Sequence, residues 1–126
     1  MTDDRLRIRP SLTTAPTPEG VPEHFQNQTL RPVLKMQNEL LLELVRHFLI
    51  KRKVKLAHLN EVERRQQISH SIAKDNRLRS LLFGCVLGQF TTEELAYYLT
   101  HEGEVNRRLS TLLTERVVSQ VDRLLK

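Results

Sequence analysis

A chain of 126 residues has room for one hydrophobic core and no second domain, and its 39% hydrophobic content includes no apolar run near the ~20 residues that cross a bilayer. A single cysteine, Cys85, excludes an internal disulfide. The net charge of +5 is unevenly spread: residues 46–79 hold ten cations against three anions, while residues 1–22, 23–45 and 80–126 each balance to within one, so any anion-attracting surface must be built from that one stretch.

Residues 1–22 contain four of the five prolines and few sizeable apolar groups, so ordering them costs more chain entropy than burial returns, and they read as a flexible Pro/Thr-rich arm ahead of a helical domain at 23–126. Asp3 and Asp4 precede Arg5, Arg7 and Arg9 with no continuous apolar stretch, which does not make a secretory signal; the expectation is a cytoplasmic protein without membrane contact. The first strong helix is expected to open near Thr29, with Pro32 in its first turn, and to run for about 25 residues. Leu30, Val33 or Leu34, Leu40 or Leu41, Leu44, Val45, Phe48 and Leu49 recur at three and four on its apolar side, opposite a solvated row of Lys35, Glu39, Glu43, His47 and Lys51.

Asn60, three residues before Glu63, has the spacing of a capping box and starts a polar second helix to about Lys74, expected to bury Val62, Ile68, Ile72 and Ala73. Asp75 then caps a third helix. Its run from Leu78 to Phe90 is apolar on nearly every side, which predicts an enclosed, central helix closed by Gly88. Gly84, inside that run, predicts the close crossing of another helix backbone, and with Gly88 forms a GxxxG spacing read here as packing alone. Thr91 followed by Glu94 repeats the capping signature and starts a short helix in which one of Tyr97 and Tyr98 enters the core while the other caps its edge. Gly103 is expected to end or bend it before a last helix, Glu104 to Leu125, striped by Val105, Leu109, Leu112, Leu113, Val117, Val121 and Leu124. No β-alternation of useful length is present. The predicted fold is all-α, a single-domain antiparallel bundle of four to five helices around a buried central one.

Candidate chemistry is sparse. Of five histidines, His24, His58, His70 and His101 are scattered singly, and Glu43 with His47 lies on the charged face instead of meeting a second Glu-x-x-His helix, so no metal site and no cofactor is expected. Cys85 has no base nearby in sequence and sits where burial disfavours a thiolate. No set of acid, base and nucleophile assembles, and no catalytic residue is assigned. The sharpest local feature is the basic run Lys51, Arg52, Lys53 and Lys55, which with Arg46, Arg64 and Arg65, and strengthened by Arg77 and Arg79, forms a candidate patch for nucleic acid or another anionic partner. The competing explanation is that cations gather at the end of the first helix because its dipole is negative there.

Three segments, FQNQTLRPVLKMQNELLLELV at 25–45, QFTTEELAYYL at 89–99 and NRRLSTLLTERV at 106–117, resemble those of a small family of uncharacterised bacterial helical proteins, over most of residues 23–125. Some members carry a "glyoxalase" label. Glyoxalase-type enzymes are built from βαβββ modules with metal ligands on strands, so the resemblance implies a helical fold and transfers no site residue. The first functional expectation is therefore a non-enzymatic protein-interaction or self-association module with a protein partner or second copy. Nucleic-acid binding through residues 46–79 is the second, and a glyoxalase-type lyase the third.

Overall fold

Residues 4–10 and 20–125 are described by the computed structural model, and among them every regular element is a helix. The expected flexible arm falls largely on residues 1–3 and 11–19, outside the described residues. The elements are α1 (Asp4–Arg7), α2 (Pro22–Phe25), α3 (Arg31–Met36), α4 (Asn38–Lys51), α5 (Glu61–Lys74), α6 (Asn76–Leu87), α7 (Thr92–Thr100) and α8 (Glu102–Ser119). A π turn over Gln26–Leu30 joins α2 to α3, and 3-10 turns occupy Leu56–His58 and Val121–Arg123. No helix among the described residues is long and apolar enough to cross a membrane.

The helix expected from Thr29 begins earlier, at Pro22, and its regular geometry is interrupted twice. Pro32 sits inside continuing helix, where it can neither donate a hydrogen bond nor fit its ring against the preceding turn; the widened π turn just before it accommodates both. Gln37 then leaves helical geometry (φ −92°, ψ 8°) and its amide donates 3.0 Å to the Cys85 carbonyl. Asn38, next in the chain, accepts from Arg116 at 3.1 Å and from Gln120 at 2.8 Å, which ties the start of α4 to the end of α8.

Local signals decide the remaining boundaries. Asn60 and Glu63 form the reciprocal capping box at 2.9 and 3.0 Å, and Thr91 and Glu94 form another at 3.1 and 2.8 Å. Asp75 accepts from the Leu78 N–H at 3.3 Å, and Gly88 caps α6. The break before α8 falls at His101, so Gly103 lies within the first turn of α8 and ends nothing.

The core joins Val33, Leu34, Leu41, Val45 and Phe48 to Ile68 and Ile72 of α5, Leu78, Leu82 and Val86 of α6, and Leu109, Leu113 and Val117 of α8. Helix α5 packs on α6 and α8, and α6 also packs on α4. An aromatic group closes one end: Phe25 stacks on Tyr97 at 4.7 Å and meets Phe90 edge-on at 5.6 Å, and buried Tyr98 donates to Asn106 at 2.6 Å. Tyr98 is thus the core tyrosine and Tyr97 the one at its edge.

Two burial expectations are corrected. Helix α6 is not enclosed: it buries a single stripe, Leu78, Leu82 and Val86, while Leu81 is 40% exposed. A Cβ added at Gly84 would meet nothing within 4 Å, so no backbone crosses there. The far side of this helix consists of Ser80, Gly84 and Gly88, which are exposed. Such small side chains offer little apolar surface, so a run whose one charge is Arg79 is compatible with water on one side. On α5, Val62 is 65% exposed and Ala73 is also exposed. Val62 lies six residues before Ile68, about 120° round the helix from the buried stripe.

Candidate anion-binding site

The cations singled out from the sequence fall at different cavities, Arg46 and Lys55 at one, Arg65 at a second, and Arg52 and Arg77 at a third. Arg46 lies 3.7 Å from Glu43 one turn earlier and, with Lys55, borders a shallow apolar cavity beside Leu49, Ile50 and Leu124. Arg64 donates from Nε to the Leu56 carbonyl at 2.9 Å, which pins the loop before α5. Arg65 reaches across to α8 and pairs with Glu115 at 2.7 Å. Lys51 sits 5.7 Å from the Phe48 ring at the last turn of α4, and Lys53 takes a left-handed conformation (φ 59°) as the chain turns away.

Arg52 lines a cleft where three helix ends meet. The cleft is about 540 Å³ in volume and is formed where the end of α4, the last two turns of α5 and the first turn of α6 meet. Arg52 enters from α4, His70 and Lys74 from α5, and Arg77 from α6. Gln67, Ser71 and Asn76 add neutral polar groups, with the Gln67 amide donating 3.2 Å to the Ser71 hydroxyl. A one-residue joint brings these side chains together. Asp75 is both the residue after α5 and the N-cap of α6, so the chain reverses abruptly and the two helix ends border the same space.

Asp75 is the one carboxylate lining the cleft, and it is already engaged. Arg52 donates to it at 3.0 and 3.4 Å, and this hydrogen bond, helped by the Leu78 N–H, holds its carboxyl below the ordinary value against the raising effect of desolvation. The same contact raises Arg52 further above its already high value, so it stays charged. Lys74 and Arg77 are exposed, Asp75 also accepts from the Arg77 backbone N–H, and the N-terminal turn of α6 adds the partial positive charge of its dipole. The cleft can therefore neutralise an oxyanion with a point-charge ammonium and a planar guanidinium, with Arg52 held in a fixed orientation behind them.

Sequence reading puts Arg77 with Arg52 in one basic patch, but it misses that Lys74 and His70 join them. The signal was present in Lys74-Asp75-Asn76-Arg77, a capping acid flanked by cations, because so short a joint forces adjacent helix ends together. Among the described residues no group of three or more His, Cys, Asp or Glu side chains is placed to hold a metal ion. Burial pushes the Cys85 thiol up, away from the reactive thiolate. Comparison of the chain with protein-family models, with curated proteins and with solved structures found no match.

Proposed function

We propose that this protein is a non-enzymatic helical module that binds nucleic acid through its phosphates, using the cleft between α4, α5 and α6. The reading rests on one observation: Arg52, Lys74 and Arg77 come from three different helices to one cleft whose single carboxylate is already paired. Among the described residues no Phe, Tyr or Trp lines that cleft and His70 is its one aromatic ring, so stacking is limited and recognition is mainly of backbone charge. In this reading α4, α5, α6 and α8 form an antiparallel bundle that fixes the three helix ends, and the protein works in the cytoplasm, where nucleic acid is at hand.

Fluorescence anisotropy of a labelled 20-base-pair duplex tests it. Affinity should be measurable at low salt, fall steeply as salt rises, and drop when Lys74 and Arg77 are both changed to Gln. Absence of binding at low salt, or binding unchanged in that variant, rejects the proposal.

A protein partner or self-association is the second reading, favoured by Leu95 and Leu99, one turn apart on α7 and 38% and 58% exposed. Light scattering over a range of concentrations separates the two, because only this one requires a complex in the absence of nucleic acid.

A further inference from the structure

Glu94 is engaged by an arginine 85 positions away in the chain. Arg9 donates from one terminal nitrogen to Glu94 Oε2 at 2.6 Å and from the other to Oε1 at 2.7 Å, and the second nitrogen also donates to the Gln89 carbonyl just past the end of α6. The Arg9 side chain is 5% exposed and that of Glu94 15%. This is the planar, two-pronged geometry that distinguishes a guanidinium from an ammonium.

The acceptor side of the contact is built independently of Arg9. Glu94 Oε1 accepts from the Thr91 N–H at 2.8 Å, and Oε2 accepts from the hydroxyl of buried Thr29 at 2.9 Å. Both oxygens are thereby oriented by α7 and by the π turn. The Gln89 carbonyl belongs to the negative end of α6, which favours a cation there.

On the donor side, the described residues of the strap offer little burial. Helix α1 buries no residue, Leu6 and Ile8 are 47% and 65% exposed, and the charge of Arg7 is directed at Asp4 within the same short helix. Arg9 itself is an imperfect occupant, since its Nε is buried with no hydrogen-bond partner. A rigid acceptor pocket is thus filled by the Arg9 side chain of a strap whose short helix buries no residue.

We propose that Glu94, Thr29 and the Gln89 carbonyl form a recognition pocket for an arginine side chain, that Arg9 is its resident occupant, and that an arginine presented by another peptide segment replaces it when residues 4–10 swing away. The incoming arginine comes either from the arm of a second copy or from a different protein; the chemistry is the same.

The test uses the full chain with Arg9→Gln and the peptide acetyl-Arg-Ile-Arg-Pro-amide, followed through the amide NMR signals of Thr29, Gln89, Thr91 and Glu94. The variant should bind the peptide saturably, the unmodified chain at least about tenfold more weakly because Arg9 competes, and a peptide with lysine for both arginines at least about tenfold more weakly still. No binding by Arg9→Gln, or equal binding of the lysine peptide, overturns the proposal. Should Arg9→Gln fail to fold, Glu94→Gln serves instead: glutamine keeps the capping box, so residues 5–9 should become mobile on the nanosecond timescale while α7 stays ordered, and a strap that remains fixed overturns the proposal. Sedimentation of the unmodified chain assigns the source. A dimer forming as concentration rises gives the pocket to a second copy, and a monomer that binds the peptide gives it to another protein.

Discussion

Replacing Lys74 and Arg77 with Gln has a consequence that follows from counting charges in the cleft. Three cations line it, Arg52, Lys74 and Arg77. If each neutralises one phosphate of a duplex, log affinity falls against log salt with a slope of about −0.9 per phosphate, or about −2.7 in all. Raising salt from about 50 to 200 mM then weakens binding about 40-fold. The double variant retains Arg52 alone, already shared with Asp75, so the slope should shrink to about −0.9 or less and the same salt step should cost about 3.5-fold. Arg65→Gln is the control: that side chain faces Glu115 on α8, outside the cleft, and should leave the slope unchanged. Anisotropy at four or five salt concentrations measures all three slopes. Equal slopes for the unmodified and doubly substituted chains would refute the assignment of binding to this cleft, and a loss on Arg65→Gln would move it to another face.

The remaining predictions concern the scaffold. Gly84→Ala should stabilise the protein by about 0.5–1 kcal/mol in urea unfolding, because the position is open and alanine restricts the unfolded chain; destabilisation would mean that another backbone packs against α6 after all. Leu82→Ala should cost about 2.7–5 kcal/mol, since Leu82 is fully buried between α6 and its neighbours, and a cost under 1 kcal/mol would refute that burial. Burial raises the Glu94 carboxyl, but hydrogen bonds from Arg9, the Thr91 N–H and Thr29, with the charge of Arg9, outweigh it and leave the group below its ordinary 4.5. Its contribution to stability is therefore complete above about pH 4.5 and is lost as pH falls through the depressed value in the folded state. Glu94→Gln cannot titrate, so its stability should decline less steeply on the acid side, and acid limbs of equal steepness would contradict the pairing with Arg9.

What could be read from the sequence was what depends on a few adjacent residues. Asn60 with Glu63, Asp75, and Thr91 with Glu94 each mark a helix start because a short side chain and a nearby N–H settle the matter locally. The apolar stripe of α8 was legible for the same reason: Val105, Leu109, Leu113 and Val117 repeat at four and leave one face to bury. Enclosure is a property of neighbours, and there the reading of α6 failed, since small residues such as Ser80 and Gly84 tolerate either core or water. Grouping is likewise tertiary. Lys51 and Arg52 are consecutive and both lie 5.7 Å from the Phe48 ring, yet Lys51 does not line the cleft, whereas Arg52 and Arg77, 25 positions apart, do. The pairing of Arg9 with Glu94 left no local trace at all, because nothing near either residue names the other.

The central claim is that the ends of α4, α5 and α6 together receive phosphate. Titration of the isotopically labelled protein with an unlabelled 20-base-pair duplex tests it most directly, by amide and side-chain NMR shifts. The account predicts that signals of Arg52, His70, Lys74, Asn76 and Arg77 move together with one binding curve. Shifts confined to other faces, such as α7 or the Arg65–Glu115 side, would contradict it.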